Sequence, residues 1–175
     1  TIKAIKKITP SVSIEVLTPD FWGGFSELRL LENAQKERLR IILNENPVCF
    51  NHNLETVERL QKEVRRGATY KSSLSILRNA NKIYPEIPTK SGLMLGLGET
   101  KSEIIQTLKD LYSVGVQRIT LGQYLRPSLA HIPVKHYWDP KQFEEFASIA
   151  KEIGFNMVNS GPLVRSSYHA SSVKS

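Results

Sequence analysis

The chain has little cysteine and no long apolar run, and both shortages restrict what it can be. Its 175 residues include a single cysteine, Cys49, so no disulfide forms within the chain and a reducing compartment is favoured. No stretch approaches the roughly 20 apolar residues that a membrane-spanning helix needs, and no signal-peptide pattern opens the chain. We therefore predict a soluble protein without a membrane part, cytoplasmic if bacterial and plastid or mitochondrial if eukaryotic.

The net charge of +7 comes from 24 Lys and Arg residues against 17 Asp and Glu residues, with the densest basic cluster at 62–66. The basic residues alternate with acids, and the aromatic residues are not interleaved with them as stacking platforms would require. We therefore expect no nucleic-acid partner. A positive face that steers an acidic protein is the simpler interpretation, and an ordinary solvated surface is the alternative.

The order of predicted elements indicates an α/β protein. Strand-like runs occupy residues 12–17, 48–52, 89–95, 118–123 and 155–159. Between them lie a predicted helix over 28–44 and helical apolar repeats that begin at Leu54, Leu74, Ile104 and Phe143. Alternating strands and helices predict parallel strands with right-handed crossovers, either in an open doubly wound sheet or in part of a barrel. We expect one domain over residues 1–169 and a flexible tail at 170–175.

Polar side chains cluster directly after the predicted strands, where parallel folds bind ligands. Residues 51–55 read Asn-His-Asn-Leu-Glu, and their amides and carboxylate are suited to the vicinal hydroxyls of a ribose. In the alternative interpretation, Asn53 or Thr56 only caps a helix that begins at Leu54.

Glycines dominate the end of the next strand, where residues 92–99 read Gly-Leu-Met-Leu-Gly-Leu-Gly-Glu. Glycine lets a backbone approach a flat ring closely, although a strand end before a capped helix is the common alternative. The run lacks the lysine of a phosphate-binding loop and the glycine spacing of a dinucleotide-binding motif, which argues against binding of a nucleotide triphosphate or NAD. Lys90, at the start of this strand, suits either a pocket or the surface.

The carboxyl-terminal run 164–170 reads Val-Arg-Ser-Ser-Tyr-His-Ala. Two hydroxyls beside a cation, a phenol and an imidazole indicate a site, with a loop cap or a phosphorylation site as the alternative. His131 and His136 lack the spacing of a metal pair, so we assign them to an active-site rim or a docking surface, with an ordinary packed or exposed histidine as the alternative. Trp22 and Trp138 are expected as core or rim anchors.

The runs FNHNLET at 50–56, TKSGLMLGLGET at 89–100 and RSSY at 165–168 together resemble lipoyl synthase, a radical S-adenosylmethionine enzyme. The resemblance implies a partial TIM-like (β/α) barrel, incomplete at its N-terminal end. It also implies S-adenosylmethionine and two 4Fe–4S clusters, one that cleaves this cofactor and one that donates sulfur. The activity implied is insertion of two sulfur atoms at carbons 6 and 8 of a protein-bound octanoyl group.

Cluster iron strongly prefers thiolates, and the cysteine groups of the family are absent here. Because the chain also begins at Thr1, we expect the C-terminal portion of a longer enzyme, inactive as this fragment alone. The implied partners are octanoylated lipoyl domains or the glycine cleavage H protein, with ferredoxin or flavodoxin as electron donor. The alternatives are a biotin synthase-like enzyme, which shares FNHNLET, and a cluster-free paralogue that only binds a carrier protein or S-adenosylmethionine.

Carried onto this sequence, the resemblance assigns roles to residues that follow or line the strands. Asn53 and Glu55 would hold the ribose, and Asn51 and His52 would shape the pocket beneath it. Ser167, in preference to Ser166, would be the metal ligand, to the auxiliary cluster. The complete predicted set is Asn51, Asn53, Glu55, Lys90 and Glu99 for the cofactor, Gln123 and Arg165 for the substrate, and Ser167 for the metal.

Overall fold

The computed structural model of the chain describes residues 1–21, 28–65 and 67–167. The tail predicted at 170–175 and the side chains of Trp22, Tyr168 and His169 lie outside the described residues. Five strands are present: β1 (Glu15–Leu17), β2 (Cys49–Asn51), β3 (Thr89–Leu95), β4 (Arg118–Gln123) and β5 (Met157–Gly161). The helices are α1 (Ile2–Ile8), α2 (Leu28–Leu43), α3 (Gln61–Val64), α4 (Tyr70–Ile83), α5 (Lys101–Ser113) and α6 (Pro140–Ile153), with a 3-10 turn at Glu58–Leu60.

All five strands pair in parallel and in sequence order, β1-β2-β3-β4-β5. The predicted α/β class is confirmed. A doubly wound sheet reverses its strand order at a switch point, whereas this order runs in one direction, as in a barrel. The five described strands form an open sheet, since β1 and β5 are its two edges. The arrangement is therefore compatible with the expected partial barrel.

The two faces of the sheet have different chemistry because side chains alternate along each strand. On the outer face, Leu93, Leu95 and Leu121 are buried in one core with helix residues such as Leu108 and Phe146. On the inner face, the register aligns Gly92 with Thr120 and Gly122 with Gly161. The apolar outer face holds the helices, while the inner face carries small and polar groups that leave room for a ligand.

The capping residues explain where the two helices after β3 and β4 begin. Thr100 and Glu103 form a reciprocal capping box at α5, and Asp139 and Gln142 form another at α6. Each box satisfies backbone N–H groups that a helix start leaves unpaired. These caps place the loops after β3 and β4 at the carboxyl edge of the sheet. Among the residues that the structure describes, no helix is long and apolar enough to cross a membrane.

The helix predicted to begin at Leu54 is wrong. Residues 53–57 are not helical, and the chain forms only a 3-10 turn and the one-turn helix α3. The backbone of Glu55 instead pairs with β3, since its N–H donates to Gly92 O at 2.9 Å and its carbonyl accepts from Met94 N at 2.8 Å. Leu54, Val57 and Leu60 are nevertheless buried. Their helix-like spacing therefore reflects burial and not a helix. Neither Asn53 nor Thr56 caps a helix at this position.

Candidate functional site

A cavity of about 370 Å³ opens on the inner face at the carboxyl edge of the sheet. It is lined by residues of β3, of β4 and of the segments that follow β2, β4 and β5, among them Asn53, Glu55, Gly92, Thr120, Gln123, Arg165 and Ser166. A larger cavity of about 660 Å³ lies near the ends of α4 and α5, and none of the predicted site residues line it. The cavity on the inner face is the candidate site because four of the predicted residues line it: Asn53, Glu55, Gln123 and Arg165.

Gly92 and Asn53 form the floor of this cavity. A Cβ added to Gly92 would lie 2.8 Å from Thr120 Oγ1 and 3.0 Å from Asn53 Oδ1, so the position excludes a side chain. The Asn53 Oδ1 atom is buried and has no hydrogen-bond partner among the described residues. Buried polar atoms are rarely left unpaired, and a ligand hydroxyl or amine would supply the missing donor.

Glu55 stands beside Asn53 in a conformation that few residues adopt. Its φ of 69° is in the left-handed region, which a non-glycine residue keeps only when its surroundings hold it. Burial raises the pKa of its carboxyl, although a hydrogen bond with Asn53 opposes the shift. A partly desolvated carboxylate accepts strongly from hydroxyl donors, so Asn53 and Glu55 together suit a vicinal diol.

Asn51 and Lys90 lie deeper on the inner face and do not line the cavity. Lys90 is 3% exposed and its Nζ atom lies 3.0 Å from Glu15 Oε1. The same carboxylate oxygen accepts from Asn51 Nδ2 at 3.2 Å. The alternative of a surface position for Lys90 is thus wrong, because its charge is neutralised inside the sheet. Both residues support the floor of the site from below.

Glu99 is buried but lies outside the cavity lining. Its Oε1 atom accepts from Gly96 N at 2.5 Å and from Trp138 Nε1 at 2.9 Å, and its Oε2 atom accepts from Leu97 N at 2.9 Å. Three N–H groups therefore occupy this carboxylate. It shapes the glycine turn after β3 and attaches that turn to Trp138, a partly buried side chain that packs against the core.

Gln123 and Arg165, predicted for the substrate, both line the cavity with the cofactor residues. The Gln123 amide is held at both ends, since Nε2 donates to His136 O at 3.1 Å and Oε1 accepts from Trp138 N at 3.1 Å. Arg165 is exposed, and its Nη1 atom donates to Val164 O at 2.8 Å. Gln123 is thus a fixed part of the cavity wall, and Arg165 places a positive charge where the cavity meets the solvent.

The two adjacent serines differ in position. Ser166 lines the cavity, and Ser167 is exposed just beyond it. Among the described residues, no group of three or more His, Cys, Asp or Glu side chains could hold a metal ion. Burial raises the pKa of the Cys49 thiol to about 11, and this residue does not line the cavity. The described side chains therefore do not fit a complete iron–sulfur site by themselves.

Sequence reasoning found Gln123 at the end of β4 but missed two other residues of that strand, Thr120 and Gly122. Both line the cavity because they share the inner face with Gly92. A Cβ at Gly122 would lie 2.3 Å from Val164 O, so glycine lets the segment after β5 approach the sheet. The alternation Thr-Leu-Gly in this strand was the available signal, since small residues at every second position mark a ligand-facing surface.

The profile of the radical SAM superfamily matches residues 2–111. The chain therefore belongs to this superfamily. Radical S-adenosylmethionine chemistry is also what the resemblance in the sequence implies.

Curated proteins similar to the chain carry a more specific name than the superfamily. The chain is 68% identical to lipoyl synthase 2 of Prochlorococcus marinus (strain SARG), over 97% of its own length and 55% of that protein. It is 52% identical to lipoyl synthase 2 of a Nostoc species and 50% identical to the lipoyl synthase of Haemophilus influenzae, covering 56% and 50% of those proteins. The chain thus spans about half the length of the curated relatives it matches.

Proposed function

We propose that the chain is the S-adenosylmethionine- and substrate-binding part of a lipoyl synthase, the enzyme that inserts two sulfur atoms at carbons 6 and 8 of a protein-bound octanoyl group. The observation that carries the proposal is the unpaired, buried Oδ1 atom of Asn53 beside Gly92, at the cavity that also contains Glu55. The similarity to relatives named lipoyl synthase supports it.

The residues of the cavity fit S-adenosylmethionine. Asn53 and Glu55 would bind the ribose hydroxyls, because one supplies an unpaired amide oxygen and the other a desolvated carboxylate. The bare backbone at Gly92 would lie against the flat parts of the ligand. When bound and reduced, this cofactor supplies a 5′-deoxyadenosyl radical that removes hydrogen. The chain's own task is to bind, orient and exclude water.

The wall of the cavity would receive the octanoyl chain. Met94, Leu125 and Pro127 supply apolar surface next to Gln123, and Arg165 would stay at the mouth with its charge in water. An extended acyl chain gains stability from such apolar contact.

Two 4Fe–4S clusters are the expected metal cofactors of such an enzyme. One serine oxygen cannot hold a cluster, so the cysteine ligands would be supplied from outside this chain. Ser167 is proposed as the single protein ligand from this chain, to the auxiliary cluster. Its exposed position beyond the cavity leaves its hydroxyl accessible to another part of the protein.

The proposed partners are acidic octanoylated carriers, either lipoyl domains or the glycine cleavage H protein, and a reductant such as ferredoxin or flavodoxin. The net charge of +7 supports the choice of an acidic carrier, because long-range attraction raises the association rate. A cluster-free binding module is the second candidate, favoured by the single cysteine.

Calorimetric titration of the chain with S-adenosylmethionine tests the binding half of this proposal. Asn53→Ala is expected to weaken binding about 10-fold, since the loss of one buried hydrogen bond to a ligand is worth about 1.5 kcal/mol. Asn79→Ala is the matched control, because Asn79 lies on α4 and does not line the cavity. Equal affinity of all three proteins would contradict the assignment of the site.

The sulfur-insertion half is tested in a chimera in which this chain replaces the matching part of the Prochlorococcus marinus relative. Lipoylation of an octanoylated carrier domain by the reconstituted chimera is the expected result. S-adenosylmethionine binding without lipoylation would favour the binding module instead.

A further inference from the structure

The carboxylate of Asp20 joins three parts of the fold behind the candidate site. Its Oδ2 atom accepts from Arg65 Nη2 at 2.6 Å, and its Oδ1 atom accepts from Ser73 Oγ at 2.9 Å. The Nε2 atom of His52 lies 3.3 Å from Oδ1, in contact but without hydrogen-bond alignment. Asp20 follows β1, His52 follows β2 and Ser73 lies in α4, so one side chain connects all three.

His52 is held on its other side as well. Its Nδ1 atom lies 3.0 Å from Thr18 O, and its backbone N–H donates to Lys90 O at 3.0 Å. The imidazole is 1% exposed. Because a carbonyl only accepts, Nδ1 must carry the hydrogen that joins it to Thr18. Fixing this ring fixes the backbone immediately before Asn53.

Arg65 reaches the peptide between the two ribose-binding candidates. Its Nη1 atom donates to Ser73 Oγ at 2.8 Å and makes a long contact of 3.5 Å with Leu54 O. The Gln61 amide donates to the same Leu54 carbonyl at 2.7 Å. Leu54 lies between Asn53 and Glu55, so the guanidinium that Asp20 holds supports the segment from behind.

The segment needs such support because its own geometry is unfavourable. Glu55 keeps a left-handed backbone, and Asn53 keeps a buried oxygen that has no partner in the described part of the chain. Both arrangements raise the free energy of the folded chain, and they persist only when neighbouring contacts hold them. The Asp20 and Arg65 side chains are 16% and 14% exposed, and a largely buried ion pair of this kind favours one arrangement over others more than it adds stability.

We propose that Asp20 is a positioning residue, which through His52 and Arg65 keeps Asn53 and Glu55 in their ligand-ready arrangement. The proposal goes beyond the proposed function but rests on it for the identity of the ligand. Asp20 does not line the cavity itself. Its effect is therefore expected on affinity and on the rigidity of residues 51–56.

Asp20→Asn is the direct test, with two readouts in the full chain. Hydrogen exchange should accelerate at the amides of Glu55 and Met94, whose backbone bonds join the segment to β3. The dissociation constant for S-adenosylmethionine should rise about 10-fold, the usual scale for a supporting contact behind a site. In the chimera, KM for S-adenosylmethionine should rise more than kcat falls.

Asp110→Asn is the matched control. Asp110 accepts from Tyr70 Oη at 2.8 Å and joins α4 to α5 away from the cavity, so it undergoes the same chemical change at a place that does not contact residues 51–56. It should lower the melting temperature without altering exchange at 51–56 or the affinity. If Asp20→Asn does not fold, Ser73→Ala removes one donor and keeps the ion pair, and the same two readouts should shift by a smaller factor.

The two proposals fail in different ways. If the wild-type chain does not bind S-adenosylmethionine, the proposed function is contradicted. Faster hydrogen exchange at residues 51–56 in Asp20→Asn would still support the positioning role. Wild-type binding with exchange and affinity in Asp20→Asn equal to those of Asp110→Asn would overturn the positioning role alone.

Discussion

Gly92 lies directly against Asn53: a methyl group at its α carbon would come within 3.0 Å of Asn53 Oδ1 and 2.8 Å of Thr120 Oγ1. The glycine and the amide belong to neighbouring parallel segments, 39 positions apart in the sequence. The floor of the cavity therefore consists of the Gly92 backbone and of Asn53 Oδ1, which has no hydrogen-bond partner among the described residues.

Gly92→Ala should therefore damage the site. We expect S-adenosylmethionine affinity to fall at least about 10-fold and the free energy of unfolding to fall by about 1–3 kcal/mol, because the added methyl overpacks the inner face. Gly161→Ala is the control, since its Cβ would meet only Val164 Cγ2 at 3.5 Å. Titration calorimetry and urea unfolding measure the two effects, and unchanged affinity in Gly92→Ala would contradict the geometry.

Glu55→Gln should stabilise the protein at pH 7 while weakening ligand binding. Because burial raises the folded pKa of Glu55, the contribution of Glu55 to stability is most favourable below the ordinary pKa of about 4.3 and is lost as the pH rises through the raised value. The amide has no charge to desolvate, so it should gain about 1 kcal/mol at pH 7. Urea unfolding from pH 4 to 8 checks this, and a variant less stable than wild type at pH 7 would contradict it.

Glu103→Gln should show the opposite pH dependence. The bond from Arg59 and the backbone bond at Thr100 lower the pKa of Glu103 to about 2. Its contribution is therefore full above about 4.3 and disappears as the pH falls through the folded value. Because the pair with Arg59 is solvent-exposed, we expect a loss of only about 0.5–1 kcal/mol at pH 7. Melting curves of both proteins should converge toward pH 2, and a difference that persists there would indicate another cause.

Cys49 should resist alkylation in the folded protein. Its side chain is 0% exposed, and burial raises its pKa to about 11, so little thiolate is present at neutral pH. Mass spectrometry after iodoacetamide at pH 8 should find the thiol unmodified in buffer and modified in urea. Rapid labelling of the native protein would show that β2 opens.

Ser167→Ala in the chimera should abolish lipoyl formation while 5′-deoxyadenosine is still produced. The reason is that the substitution removes the proposed auxiliary-cluster ligand and leaves the cavity around Asn53 and Glu55 intact. Ser166→Ala is the control that separates a ligand from a cavity wall, because Ser166 lines the cavity and Ser167 does not. Unchanged lipoylation in Ser167→Ala would contradict the ligand assignment.

Much of the fold was predictable because β3, β4, α4, α5 and α6 have clear periodicity and clear caps. The segment 54–57 was not, since its apolar spacing fits a helix although its hydrogen bonds go to β3. For the site, the residue types of 51–55 and 92–99 predicted a ligand edge after the strands, and the structure brings Asn53, Glu55 and Gly92 together at one cavity. The separate positions of Lys90 and Glu99 were not predictable, because each is paired with residues distant in the sequence.

By itself the sequence determined the α/β class, the parallel strands and the edge at which polar groups gather, because periodicity, caps and glycine act over a few residues. Only the tertiary structure decided that the strand order has no reversal and that Asn53 contacts Gly92. It also decided that the Asp20 carboxylate contacts His52, Arg65 and Ser73. These relationships join residues far apart in the chain, and long-range packing and charge pairing select them.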